Sequence, residues 1–209
     1  TTLPDGTTKK IQPNAKPGDR RFLDLNKDGA INGSDRTIIG QAQPRFFGGL
    51  TNTFGYRGFE LTVFVQGVQG ASILNLVRPE LENVSGSFGN QFATVLDRWT
   101  PTNPSQTIPR ALLVSNTPNF INSTMVEDGS YLRFKVITLA YNLPSALLQR
   151  LRLGSLRVYV TGQNLLTFTK YSHYDPEVNT FGADNLSVNT DYGAYPTART
   201  ILGGLTVSF

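Results

Sequence analysis

FELTVFVQG, residues 59–67, changes sides at every step. On an extended chain Phe59, Leu61, Val63 and Val65 share one face, and Glu60, Thr62, Phe64 and Gln66 the other. A period of two is the mark of a strand with one apolar and one polar face. SLRVYVTGQN (155–164) repeats it, with Leu156, Val158 and Val160 against Arg157, Tyr159, Thr161 and Gln163. The closing stretch sets Ile201, Leu205, Val207 and Phe209 against Thr200, Thr206 and Ser208. RFFGGLTNTF (45–54) and YLRFKVITLAYNL (131–143) complete the set. In the latter, Arg133 and Lys135 oppose Leu132, Phe134 and Val136, and the phase breaks near Ile137, which points to a bulge.

These are about five strands of roughly ten residues each. Soluble sheets favour strands of about five or six residues, whereas a tilted strand that crosses a bilayer needs about nine to eleven. The connections alternate in length. GYRG (55–58) joins the first two strands, and a long segment, about 68–130, precedes the third. LPSALLQRLRLG (143–154) links the third to the fourth, and a loop of about thirty residues precedes the last. Short turns at one end and long loops at the other are the habit of outer-membrane barrels, with short periplasmic turns and long extracellular loops. The expected fold class is therefore all-β: antiparallel strands of a transmembrane barrel, apolar face to lipid and polar face to the lumen. That sidedness puts Phe209 at the periplasmic rim and the segment before the first strand outside the cell.

The composition sets outer limits. The 209 residues include 20 Gly, 12 Pro and no Cys, and 16% are charged. Without Cys there is no disulfide framework, zinc–thiolate site or thiol nucleophile. No stretch approaches the roughly 20 apolar residues of a membrane helix. A net charge of +4 raises the question of nucleic acid. The basic residues run no longer than the pairs Lys9-Lys10 and Arg20-Arg21, and no aromatic RNA-binding pattern accompanies them, so no nucleic-acid partner is expected. The opening TTLPDGTT, without a signal peptide or initiating Met, reads as the start of a processed or excised piece.

Residues 1–43 form a separate, loop-like region, and 44–209 hold the barrel strands and their loops. Within the first region DLNKDGAINGSD (24–35) fits a twelve-position calcium loop. Asp24, Asn26 and Asp28 take positions 1, 3 and 5, and Gly29 the sharp turn at position 6. Ala30 offers a backbone carbonyl at position 7, Asn32 stands at position 9, and Asp35 closes position 12. These are hard oxygen donors, suited to Ca2+. An Asp at the closing position is nearer to dockerin loops than to calmodulin-like sensors. The competing reading is a metal-free surface turn rich in Asx and Gly. Structural calcium in an extracellular loop is the expected role.

Taken together, GDRRFLDLNKDGAINGSDRTIIG (18–40), PRFFGGLTNTFGYRGFELTVFVQG (44–67), RWTPTNP (98–104), VEDGSYLRFKVITLAYNLP (126–144), LRVYVTGQNLLTFTKYSHYDPEV (156–178) and DYGAYPTARTILGGLTVSF (191–209) resemble the C-terminal part of the SusC/RagA-like TonB-dependent transporters of the Bacteroidota outer membrane. The resemblance implies a 22-stranded barrel with a plug inside and long extracellular loops. It implies a SusD-like lipoprotein lid, energy from TonB through the plug, and import of oligosaccharides or peptides. It also makes the terminal alternation ending at Phe209 a signal for the barrel-assembly machinery. Five strands close no barrel, and an open edge in lipid leaves backbone groups unpaired at several kcal/mol each. The chain is expected to join the remaining barrel and plug, whether in one polypeptide or across a split.

Catalysis finds little support. His173 is the only His, and no Ser near it lies in a nucleophile elbow. Asp175 and Glu177 sit two apart in one loop, unlike the facing carboxylates of a glycosidase, and ordered-loop contacts are their expected role. Trp99, Tyr171, Tyr174, Tyr192 and Tyr195 fall in the long loops, where stacking on a sugar, an interfacial girdle and contact with a lid all remain open. No enzyme is expected. The alternative to a transporter segment is a soluble calcium-binding extracellular β module, an adhesin or carbohydrate-binding domain.

Overall fold

The computed structural model describes residues 6, 10–85, 89–113, 121–182 and 184–209. Apart from Gly6, the opening TTLPDGTT lies outside the described residues. The chain forms two compact units, one of residues 1–39 and 75–125, the other of 40–74 and 126–209.

The second unit is built on a five-stranded antiparallel sheet. Its strands are β1 (Phe46–Tyr56), β2 (Phe59–Gln69), β5 (Tyr131–Asn142), β6 (Ser155–Thr169) and β8 (Thr200–Ser208), hydrogen-bonded in that order. Sequence neighbours within the sheet are spatial neighbours, so it is a meander. Lengths of 11, 11, 12, 15 and 9 residues match a bilayer-crossing strand or exceed it. The β1–β2 hairpin turns on two residues, Arg57 at φ 47° and Gly58 at φ 88°. Two consecutive positive φ values define the tight hairpin turn that suits the twist of antiparallel strands. A Cβ on Gly58 would stand 2.8 Å from the Asn142 carbonyl oxygen of β5, so glycine also permits that close approach.

Registers fix which side chains share a face. One row runs Tyr56, Phe59, Tyr141, Val158, Leu205 across all five strands, and the next apolar row runs Phe54, Leu61, Leu139, Val160. On the opposite face Thr53, Thr62, Thr138 and Thr161 form a ladder, with hydroxyl pairs at 3.2 Å and 2.8 Å. The apolar face is exposed: Tyr56 at 69%, Phe54 at 61% and Leu205 at 68%. A soluble domain rarely shows so continuous an apolar surface; in a barrel it is the lipid face. Phe59 stacks on Tyr141 at 4.6 Å near one end of the strands, and Phe134 meets Phe168 edge-on at 6.4 Å near the other.

The break of phase in β5 is a bulge. The register shifts between Phe134 and Val136, facing a matching irregularity between Phe64 and Val65 of β2. One expectation changes with it. Val136 pairs with Phe64 and Gln163 and so belongs to the polar face, not with Leu132 and Phe134. On β6 the bulge takes in Asn164, at φ 52°, whose amide nitrogen donates to the Ala198 carbonyl at 3.1 Å.

Two features do not show in the strand pattern. The link LPSALLQRLRLG holds a helix, α2 (Ser145–Leu151), preceded by Pro144 and ended by Arg152 at φ 55°. Its Ala, Leu, Gln and Arg are strong helix formers. A second, three-stranded sheet is ordered β4 (Val126–Asp128), β3 (Ser72–Asn75), β7 (Thr190–Asp191). It supports a small core of Ile73, Tyr171 and Val178, with Ala194 packed against it.

The first unit carries α1 (Val77–Leu81) and short 3-10 turns. Asp19 receives the Arg110 guanidinium at 2.5 Å, and Gly18 lies so close to Trp99 that a Cβ would collide with the indole.

Candidate functional site

Arg133 stands at the start of β5 on the polar face, opposite Gln66 of β2 and Thr167 of β6. It is 2% exposed. A guanidinium so buried must have partners, and they come from the loop between β6 and β8. Nη2 donates to Asp175 Oδ1 at 2.5 Å, and Nη1 to Glu177 Oε2 at 2.5 Å and to Thr197 Oγ1 at 2.8 Å. Lys135, brought to the same cluster beside the bulge, donates to both Glu177 oxygens at 2.9 and 3.1 Å. Tyr131 and Gln66 add hydrogen bonds to Glu177 Oε1 at 3.0 and 3.3 Å. Asp175 Oδ2 accepts from the backbone and hydroxyl of Thr197.

The strand thus supplies two cations and the loop two carboxylates. Burial favours a protonated Asp175, but the donors from Thr197, Arg133 and the backbone of Glu177 outweigh it and hold its pKa below the ordinary carboxylate value. Both carboxylates are committed to cations and donors, so they do not form the open pair that glycoside hydrolysis needs. His173 stacks on Tyr174 at 4.3 Å, and the neighbouring Ser172 hydroxyl donates to Glu127 at 2.8 Å.

The loop aromatics divide. Tyr171 is 5% exposed, and its hydroxyl donates to the fully buried Asp191 at 2.6 Å. Burial and that carboxylate both push the Tyr171 phenol well above its usual range. It is a core residue and offers no stacking surface. Tyr174, Tyr192 and Tyr195 are exposed, and Trp99 is half-buried against Gly18.

In the first unit the calcium-type loop is a closed turn. Asp35 Oδ1 accepts from Leu25 N and Oδ2 from Asn32 N, both at 2.8 Å, tying the twelfth position to the second and ninth. Asp24 Oδ2 accepts from Gly29 N at 2.9 Å, and Gly29, at φ 82°, makes the turn. Asn26 Oδ1 accepts from Asp28 N, Asp28 Oδ1 from Ala30 N, and Asn32 Oδ1 from Ser34 N. Asp28 Oδ2 faces the amide nitrogens of Asn26 and Asn32 at 2.8 and 3.3 Å. Asp24 Oδ1 is buried and has no hydrogen-bond partner. Among the described residues no group of three or more His, Cys, Asp and Glu gathers as a metal site would. Asp24, Asp28 and Asp35 thus do not gather around one point, and the other oxygens of the loop are amide and backbone carbonyl oxygens.

No family model matches the chain. The TonB-dependent receptor P3 of Formosa agariphila is 40% identical to it over 211 residues, which cover 99% of this chain and 20% of the receptor. The TonB-dependent receptor SusC of Bacteroides thetaiotaomicron is 29% identical over 94% of the chain and 18% of its own length. Among solved structures the RagAB peptide importer in its closed-closed state superposes with a TM-score of 0.73 at 26% identity, over 90% of this chain and 20% of that one. A structure of the RagAB peptide transporter gives 0.69 at 28% identity, over 82% and 18%. The chain spans about a fifth of the length of the curated relatives it matches. Its two-faced sheet is accordingly a section of a transmembrane barrel wall, and the chain belongs to the SusC/RagA-like TonB-dependent receptors of the outer membrane.

Proposed function

We propose that this chain forms the last strands of the barrel wall in an importer of oligosaccharides or peptides. The observation that carries the reading is the sheet itself: an exposed apolar face backed by a threonine ladder and buried charge on the other side. A soluble calcium-binding module has no use for such a face, which disfavours the alternative. In this reading the short β1–β2 and β5–β6 connections and Phe209 face the periplasm, and the long loops face outward. The remaining strands and plug complete the barrel, a SusD-like lipoprotein covers the mouth, TonB acts through the plug, and the barrel-assembly machinery reads the last strand. No catalytic step is assigned to any residue. The test is uptake by cells carrying the full-length receptor, fed fluorescent oligopeptides or oligosaccharides. Saturable uptake of one class that stops when the proton gradient is collapsed is expected. Uptake of neither class overturns the reading.

For residues 1–43 we propose an extracellular loop region in which Asp24, Asn26, Asp28, Ala30, Asn32 and Asp35 hold Ca2+. The orphaned Asp24 Oδ1 supports this, since a buried carboxylate oxygen lacks only a cation or a donor. Rotation of the Asn26 and Asn32 amides exchanges nitrogen for oxygen toward Asp28. The ion's contribution is to stiffen the loop.

A further inference from the structure

We infer that the described part of the segment between β6 and β8, residues 170–182 and 184–199, is a permanent strap across the lumenal face of the barrel wall and not a moving gate. Loops of this length at a barrel mouth are the usual candidates for motion. This one is fastened at both ends. Near its start Asp175 and Glu177 bind Arg133, Lys135, Tyr131 and Gln66 on the strands. Near its end Thr197 joins the same cluster, donating to Asp175 and accepting from Arg133. Ahead of the first point Tyr171, and between the two Val178, pack on Ile73, and Asn189 donates to the Ala42 carbonyl at 2.7 Å.

The charges argue against a releasable contact. Two strand cations face two loop carboxylates, and the Arg133–Asp175 pair has side-chain exposures of only 2% and 5%. A strap that lifted would leave a guanidinium and an ammonium uncompensated on a wall built around them. A gate that cycles has its contacts at the low-stability, solvent-exposed end of the structure; this cluster is at the other end. On the transport reading, the consequence is that opening and closing at the mouth arise elsewhere and the strap sets a fixed part of the passage.

The test uses the full-length receptor in intact cells with a single introduced cysteine, Val178→Cys, at a position 5% exposed. A membrane-impermeant maleimide is applied to energised cells and to cells whose proton gradient is collapsed, with Tyr195→Cys, at a residue 94% exposed, as the reference. The thiol at position 178 is expected to react at least tenfold more slowly than the thiol at position 195 in both states. Lys135→Gln or Arg133→Gln in the Val178→Cys background is expected to raise the labelling rate several-fold. Labelling that rises only in energised cells overturns the fixed strap. Fast labelling in both states, or no response to either loosening variant, overturns the latch. Because the readout is labelling, it stands apart from whether peptides or sugars are taken up.

Discussion

Arg133 and Asp175 lie 42 residues apart in sequence and 2.5 Å apart in space, and both are buried. The pair joins a barrel strand to a loop, and its strength follows from its burial. Removing Arg133 leaves the buried Asp175 without its cation, which costs about 3–5 kcal/mol, whereas removing Asp175 leaves Arg133 still paired with Glu177 and costs less. Arg133→Met is expected to lower the stability of the refolded receptor by that order, and Asp175→Ala by less, both read from the denaturation midpoint. The double variant is expected to cost less than the sum, as coupled residues do. Additive losses in a double-mutant cycle would show that the two groups act independently.

The pH dependence of the latch has a definite sign. The folded-state pKa of Asp175 is depressed; burial pushes it up, and the Thr197, Arg133 and backbone donors more than offset that. A depressed carboxylate contributes stability above its unfolded pKa, about 3.9, and loses that contribution as pH falls through the folded value. Proteolysis of the strap by an acid-active protease is therefore expected to stay slow down to about pH 4 and to accelerate below it. Asp175→Asn is expected to be cut readily across the whole range. A strap that loosens at near-neutral pH would assign the control to another group.

The two faces of the sheet are legible in the sequence because a strand's period is short and local. FELTVFVQG states its own orientation, and so does SLRVYVTGQN. Val136 reads onto the wrong face because a bulge shifts the period by one residue without changing composition. The cluster around Arg133 is out of reach for another reason. Nothing in YLRFK announces that its charges answer those in YDPEV, since the pairing is made by a loop that folds back over the strands. Tyr171 likewise reads as one more loop aromatic until Ile73 and Asp191 close around it. The helix at 145–151 hides inside what reads as a connection.

The calcium-type loop makes its own prediction. Asp24 contributes one oxygen to the Gly29 amide and leaves the other buried without a donor. If Ca2+ is the missing partner, millimolar Ca2+ protects residues 24–35 from proteolysis in wild-type receptor and a chelator removes the protection. Asp24→Ala and Asp28→Ala are each expected to abolish the difference. Gly29→Ala is expected to weaken it, because its φ of 82° suits glycine far better than a residue with a Cβ. A loop equally resistant with and without Ca2+ would be an ordinary Asx-rich turn.

The membrane reading is tested most directly by two substitutions at adjacent positions of β6. Val160 lies on the apolar face beside Leu139 and is 45% exposed; Thr161 lies on the polar face beside Thr138, with their hydroxyls 2.8 Å apart. Both occupy the middle of the sheet, so depth is matched and only the direction of the side chain differs. A positive charge toward lipid at the bilayer midplane costs about 2–4 kcal/mol, whereas toward a lumen it is far cheaper. Val160→Arg is expected to reduce folded receptor in the outer membrane severely. Thr161→Arg is expected to lose only the contribution of one hydroxyl pair, about 1 kcal/mol. In a water-soluble module the ranking reverses, because an arginine on the open apolar face improves solubility while one among the packed threonines disturbs them. Folded yield of the two variants, measured by heat-modifiable migration of the refolded barrel, therefore separates the two architectures by sign as well as by size.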